Sequence, residues 1–448
     1  MMFRPDSLVN PACSSRGGNR LHQHGAATLI VVMVLFFVMS LVAAYSSRNI
    51  IFEQRTSANQ YTSTVSLEAA QAGLEWALGL LNGSRIDDNC TPSNVVANAS
   101  FRQRYLQVDP ASGAISVAAA VRDGPMWPTC WHDRSTNQWV CHCPTGAGGS
   151  ISSTPTDSFA PSFRVRFIQL SDAYGSPINA RPGVVAIEVN GCTGWDNACL
   201  NFQPYSAQDI CRGTVCAKVA LSGGLKSPPT AAITARQSIS VGGAALTATN
   251  TDPGTTGYTV IAGGPVTTAG MTLQGPPGMP ANLTWIQNDP GLSNSLFTPE
   301  RMFAALFGSW PSTYMEQPGA VKINCATPCD SNTIRTAVEI NPGRVFVLQG
   351  DVALDGGLSI GTATDPVVLL ITGSFSFAVP TDVYGVVYSR SATWATAGTG
   401  SIFGAAVGEG AIGGNGAFTV VYSSDILNRL RGGTGSFVMV PGSWKDFP

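Results

Sequence analysis

The sequence predicts an α+β protein: a long N-terminal helix packed on a disulfide-rich β-sheet domain, followed by a Gly-rich β module, β-solenoid-like or a sandwich. Three features predict it. An uncharged apolar run near the N-terminus continues in helical phase into an amphipathic stretch. Strand-like alternation shares the middle of the chain with most of the cysteines, and glycine-spaced apolar runs recur through the second half. The chain's 448 residues exceed one ordinary domain. Charged residues make up only 12% and the net charge is −2, which excludes a charge-driven disordered chain and a general nucleic-acid binder.

The helix comes first. Residues 1–24 carry Arg4, Arg16 and Arg20 against Asp6, and Gly25 precedes Ala26–Tyr45, which reads AATLIVVMVLFFVMSLVAAY. As a helix that run is about 30 Å long, the thickness of a bilayer's hydrocarbon core. The basic flank stays cytoplasmic, which puts everything after Arg48 on the opposite side. A secretory signal peptide is the competing reading, with Val42-Ala43-Ala44 as small residues before a cut at Tyr45. The apolar stretch exceeds the roughly 7–15 residues of a signal core, however. No proline interrupts the chain between Pro11 and Pro92. Beyond the apolar run, Ala58, Tyr61, Val65, Ala69, Ala72, Trp76 and Leu80 recur at helical spacing, with Leu67, Ala70, Leu74, Leu78 and Leu81 as a parallel row. Asn82-Gly83 offers a stop, because glycine accepts the left-handed conformation that closes helices. The spacing thus predicts an unbroken helix over 26–83, about 85 Å long, transmembrane over 26–45 and amphipathic over 46–83.

The segment His24-Gly25-Ala26-Ala27-Thr28-Leu29-Ile30-Val31-Val32 resembles the processing site of type IV prepilins. The longer run through Phe52-Glu53-Gln54-Arg55-Thr56-Ser57-Ala58-Asn59-Gln60 and Glu68-Ala69-Ala70-Gln71-Ala72-Gly73-Leu74-Glu75 is similar to PilX-type minor pilins. That resemblance implies that residues 1–25 are a cytoplasmic leader, that prepilin peptidase cuts after Gly25, and that Ala26 becomes a methylated mature N-terminus. It also implies that the apolar half-helix is kept, first as an anchor in the bacterial inner membrane with the C-terminal part periplasmic, then as the core of a filament at the cell surface. Its partners would be other major and minor pilins, through the helix, with no cofactor. Two departures stand out. Most pilins carry glutamate at the fifth mature position, where this chain has Ile30, and the leader is long. Losing a carboxylate from lipid removes a cost of about 2.5–3.5 kcal/mol but also an assembly contact, which favours a rare or terminal subunit over a bulk one.

The segment 84–225 reads as a disulfide-rich globular domain. Removing the leader takes Cys13 and leaves Cys90, Cys130, Cys141, Cys143, Cys192, Cys199, Cys211, Cys216, Cys325 and Cys329, an even set beyond the membrane and so candidate disulfides. Cys325 and Cys329 are close enough for a local bridge; the other pairings stay open. Zinc is the alternative, since Cys130, His132, Cys141, His142 and Cys143 cluster, but their spacing fits no common finger. Alternation at Phe163, Val165 and Phe167, then Val185, Ile187 and Val189, then Val215, Ala217, Val219 and Leu221 predicts antiparallel strands laid across the amphipathic half-helix. Trp127, Trp131, Trp139 and Trp195, near the cysteines, read as covers over disulfides.

From 226 to 448 the composition turns to Gly, Ala, Thr and Val. Val345–Leu348, Val367–Ile371, Val386–Tyr388, Ala405–Val407, Phe418–Tyr422 and Phe437–Val440 recur at a quasi-period of roughly 18 residues, as stacked short strands do. One helix interrupts them: Thr298 caps, Pro299 opens, Met302, Phe303, Leu306 and Phe307 form the apolar face, and Gly308 ends it. The stretch from Val383 to Gly410 resembles C-terminal regions of large PilX-like proteins.

Catalytic signals are weak. Gly357-Leu358-Ser359-Ile360-Gly361 matches a nucleophile elbow, but a turn follows Ser359 and no histidine follows His142. Asp252, Asp289 and Asp351 sit in turn contexts, and Asp330-Ser331-Asn332 lacks the glycine and terminal acid of a calcium loop. The reading is a structural, non-enzymatic minor pilin that takes part in pilus assembly or initiation and exposes a tip or adhesion module. Two rivals remain. A type II secretion pseudopilin of the GspK type would carry a mainly helical second domain with calcium sites; a membrane-tethered β-solenoid enzyme would act on glycans through paired carboxylates.

Overall fold

The computed structural model describes residues 25–109, 112–146, 154–157, 159–170, 183–202, 213–241, 245–396 and 398–446. Residues 1–24, where the expected leader falls, and Cys211 lie outside them. The chain divides into two compact units, Met1–Thr62 and Ser63–Pro448.

Helix α1 runs Gly25–Leu81 without interruption. In the first unit every described side chain from Thr28 onward is exposed. In the second unit the helix buries Ala69, Ala70, Gly73, Leu74, Ala77 and Leu81. Of the two rows the spacing suggested, the second is the better docked: its Ala70, Leu74 and Leu81 are buried and its Leu67 and Leu78 half-buried, whereas the first is buried only at Ala69. Ala58 and Tyr61 are exposed, and Ala72, Trp76 and Leu80 are only half-buried. Ala69, Ala70, Gly73 and Ala77 in the buried line let the helix backbone approach its sheet, and Leu74 and Leu81 fill the space between them.

That sheet is antiparallel, in the spatial order Gly435–Met439, Val215–Gly223, Val184–Cys192, Ser162–Gln169, Thr129–Asp133, Gln138–His142. Its alternation does what period two requires. Phe163, Val165, Phe167, Val185, Ile187, Val189, Val215, Ala217 and Val219 turn inward and share a core with Ala70, Leu74, Ala77 and Leu81. On the opposite face Arg166 and Glu188 stand in register and form a buried ion pair, the guanidinium 4.5 Å from the Phe202 ring. Helix α2, Phe101–Tyr105, is opened by Ser100 and Gln103 in a reciprocal capping box and adds Phe101 and Tyr105 to the same core.

The second half is a parallel β stack. Strands Ala320–Cys329, Val345–Leu354, Val367–Ile371, Asp382–Ser389 and Thr399–Gly408 lie side by side in that order. Ile233–Ala235, Val260–Ala262 and Trp285–Ile286 then continue the row beyond Thr399–Gly408. Thr393–Thr396, Ala411–Gly414, Ile239–Val241 and Val266–Thr267 form a second parallel row. The module is therefore solenoid-like, and its spatial order differs from its chain order: the coils first in sequence stack on those last in sequence. The connection back to Ala320 carries helix α3, Pro299–Phe307, capped by Thr298 and closed by left-handed Gly308. Its Met302, Phe303 and Phe307 cover Val347, Val368, Val386 and Val407, with Ile426, Leu427 and Leu430 of helix α4, Ser424–Gly433, in the same cluster. Corner glycines are required where coils touch. Gly385 and Gly404 pair in register with φ of 148° and 137°, and a Cβ on Gly404 would strike the Gly385 carbonyl.

Phe437–Val440 does not belong to this stack, contrary to the quasi-period. Gly435–Met439 returns to pair antiparallel with Val215–Gly223, where Phe437 enters the α1 core. Burial of one aromatic ring against the helix outweighs a spacing signal that carries no register information.

Candidate functional site

Gly25 opens helix α1 and Ala26 follows it. The apolar half presents Leu29, Ile30, Phe36, Phe37 and Val42 outward, Ile30 at 61% exposure. Within it Ser40 Oγ donates to the Phe36 carbonyl at 2.8 Å, and just beyond it Ser47 donates to Ala43 at 2.8 Å and Thr56 to Phe52 at 2.9 Å. In hydrocarbon each polar group needs such an internal partner. Among the described residues this is the one helix long and apolar enough to cross a membrane, and none of its apolar window is buried. Ile30 leaves no carboxylate along the run, whose first charge is Arg48.

The other half is built for close docking. A Cβ on Gly73 would lie 2.7 Å from Phe163 Cδ2 and 2.8 Å from Val189 Cγ1, and one on Gly191 would lie 2.8 Å from Ala70 Cβ. Two glycines, one on the helix and one on the strand, set the separation. Trp76 seals the edge, meeting Phe101 at 5.6 Å and Phe163 at 5.4 Å in edge-on geometry.

The helix stop is made by side chains and not by a left-handed glycine, since Gly83 is absent from the positive-φ residues. Asn82, 7% exposed, donates from Nδ2 to the Leu78 carbonyl at 3.1 Å and to the Phe437 carbonyl at 2.8 Å. Its Oδ1 accepts from the Phe437 N–H at 2.8 Å. One amide thus pairs with the free edge of Gly435–Met439 as a neighbouring strand would. Arg102 donates from Nε to the Leu81 carbonyl at 2.8 Å and from Nη1 to the carbonyls of Gly343 at 2.8 Å and Gly435 at 3.0 Å. Burial pushes this guanidinium down to about 9, and it lies 5.2 Å from the Phe437 ring. The sequence marks Asn82 only as part of a helix stop and does not mark Arg102, because each acts on backbone that only the fold brings near. Gly73 stands out only as a glycine inside a helical pattern.

The sulfurs are paired as Cys90–Cys143, Cys130–Cys141, Cys192–Cys199 and Cys325–Cys329. Cys216 is also disulfide-bonded. Cys130 and Cys141 face each other across adjacent strands, so the thiolates a zinc site needs are consumed. Of the tryptophans, Trp139 packs 4.8 Å from Phe163 and Trp127 5.1 Å from Phe202. Ser359 is exposed just before the bridge Ile360–Val383, with no helix following, so the elbow motif is a turn. Asp252, Asp289 and Asp330 accept backbone N–H groups of Gly254, Gly291 and Thr333, which accounts for them as turn and cap residues. Among the described residues no group of three or more His, Cys, Asp or Glu is placed to hold a metal ion. Glu409 is a buried acid, its carboxylate accepting from Tyr388 Oη at 3.0 Å and Arg390 Nε at 3.0 Å.

An exposed apolar half-helix continuous with a half docked on an antiparallel sheet defines a pilin-like N-terminal segment. The comparison with known families agrees: the family model described as PilX N-terminal matches residues 24–75. No curated protein and no solved structure matches the chain significantly.

Proposed function

We propose that this chain is a structural, non-enzymatic minor pilin of the type IV pilus system, anchored by Ala26–Tyr45 and then packed into a filament through the same residues. The observation that carries this reading is the unbroken α1, apolar and exposed in one half and docked in the other, over the stretch similar to PilX N-terminal segments. Prepilin peptidase cuts after Gly25, the C-terminal part faces the periplasm, and other pilins are the partners. Water alone gives the apolar half no stable home: its side chains are favourably buried only in lipid or among helices like itself. Ile30 suits a rare or terminal subunit. The β stack, more than filament packing needs, is the module presented at the surface or tip in assembly, initiation or adhesion. A mainly helical second domain, which the secretion reading requires, is not what residues 233–422 form.

The test is whether the chain enters filaments. Shearing filaments from cells that express the chain, and probing them for it, should recover it at low ratio to the bulk subunit. Deletion of its gene should lower filament number. Absence from sheared filaments together with unchanged filament number would refute the proposal.

A further inference from the structure

Where strand Val215–Gly223 runs on toward the β stack, the second unit holds a groove of about 890 Å³, within the roughly 300–1,000 Å³ that ligand sites occupy. Parts of 222–227, parts of 307–318 from the end of α3 into the short helix Pro311–Met315, and Arg431 of α4 line it. These segments are tied to one another. The Lys226 and Ser227 N–H groups donate to the Leu306 carbonyl at 2.8 and 3.0 Å, Tyr314 Oη donates to the Gly224 carbonyl, and the Gly319 N–H donates to Ser436 Oγ at 2.8 Å. The groove is thus built by the fold itself. Its donors, by contrast, are not spent on the fold. Lys226 and Arg431 are exposed, and among the described residues their side chains make no ion pair and no hydrogen bond. The hydroxyls of Ser222, Ser227, Ser309 and Thr313 likewise have no partner among the described residues. The one carboxylate of the lining, Glu316, is already held by Lys322. A Cβ on Gly308 would lie 2.7 Å from Lys226 Cδ, so the lysine stem crosses the glycine that closes α3. Leu225, Phe307 and Tyr314 are buried in the floor, and Trp310, next in the chain to Ser309, is 54% exposed.

We propose that this groove binds an acidic oligosaccharide, a chain of carboxylated sugars. Two unpaired cations call for carboxylates, and four unpaired hydroxyls, each donor and acceptor at once, suit a partner that is itself hydroxylated. The indole of Trp310 offers an apolar face to the C–H side of a sugar ring. An acidic peptide is the poorer match, because the strand bordering the groove has no edge to lend to another backbone. Phe437 exchanges both its backbone hydrogen bonds with Asn82, the Gly435 N–H donates to the Gly343 carbonyl at 3.0 Å, and the Gly435 carbonyl accepts from Arg102 at 3.0 Å. The site stands apart from the pilin reading: failure to bind leaves filament entry untouched, and failure to enter filaments leaves binding untouched.

The test is calorimetric titration of the full chain in detergent with tetragalacturonate and with tetramannuronate, against uncharged cellotetraose and against tetraglutamate, all at one ionic strength. At least one uronate should bind saturably and more tightly than cellotetraose and tetraglutamate. Lys226→Gln and Arg431→Gln remove no hydrogen bond of the fold, so each should keep the thermal midpoint and weaken that binding roughly tenfold, the worth of one charge-assisted hydrogen bond. Arg429→Gln takes the same charge from α4 outside the groove and should leave the affinity unchanged. The proposal is overturned if neither uronate binds, if tetraglutamate or cellotetraose binds as tightly, if Arg429→Gln weakens binding as much as Arg431→Gln, or if Lys226→Gln and Arg431→Gln change nothing.

Discussion

Substituting Gly191 by alanine probes the helix–sheet separation directly. The new methyl would lie 2.1 Å from the Ser66 carbonyl oxygen, 2.5 Å from the Ala70 backbone nitrogen and 2.8 Å from Ala70 Cβ. Non-bonded heavy-atom contact is comfortable only at about 3.5–4.0 Å, so the helix backbone must retreat by more than about 1 Å. Helix backbone cannot swing aside as a side chain can. The penalty falls at the upper end of the roughly 1–3 kcal/mol of overpacking, because Leu74 and Ala77 lose contact with the sheet together. Gly73→Ala is the internal control. Its methyl meets only the side chains of Phe163 and Val189, which must shift within the core while the backbones stay in place, and alanine regains about 0.5–1 kcal/mol of helix propensity. Gly191→Ala should therefore cost about 2–3 kcal/mol and Gly73→Ala about 1 kcal/mol or less. Urea unfolding of the full chain in detergent, followed by tryptophan emission, gives the order, and hydrogen exchange across 66–77 locates it. Near-wild-type stability for Gly191→Ala, or a larger loss for Gly73→Ala, would refute the close-docking argument.

Other outcomes follow from the same geometry. Asn82→Asp exchanges one atom yet removes the donor to both Leu78 and Phe437, so stability should fall by about 2–4 kcal/mol and exchange at Phe437 should accelerate. Asn82→Gln restoring full protection would contradict the fixed reach assigned to that amide. Loss of the Cys90–Cys143 bridge, with a sequence separation of 53, should cost about 4 kcal/mol, against about 2 kcal/mol for Cys325–Cys329 with its separation of 4. Serine pairs measured in parallel check the order. Burial raises the Glu409 carboxyl above its usual 4.5, against the opposing pull of Arg390 and Tyr388. The folded state then holds that proton more tightly than the unfolded one, so this contribution is whole below pH 4.5 and is lost as pH rises through the folded value. Subtracting the stability of Glu409→Gln from that of wild type should give a difference that declines with pH across that window; a rising difference would show the opposite shift.

The sequence made the long helix legible because its signals are local: no proline, period 3.6, and an uncharged run of membrane length. The antiparallel strands at Phe163–Phe167, Val185–Val189 and Val215–Leu221 were equally plain, since alternation reports one buried face. What escaped depends on contacts between distant segments. The quasi-period placed Phe437 in the stack, but pairing register is a property of two strands, and the partner proved to be Val215–Gly223. Likewise the first coils stack on the last, an order no spacing encodes. Asn82 and Arg102 were invisible as site residues because they bind backbone carbonyls far along the chain, Phe437 and Gly343 among them. Of the buried row of α1, spacing picked out Ala69, Ala70, Leu74 and Leu81 but passed over Gly73 and Ala77, small residues whose burial depends on how closely the sheet approaches.

The central claim is that the apolar half of α1 stays on the exported protein and serves as anchor and packing surface. Mass spectrometry of the N-terminal peptide from native membranes or filaments decides it. The account predicts a chain that begins at Ala26, carries one methyl group on its amine and retains the whole stretch to Tyr45. A mature chain that begins at Tyr45 would contradict it.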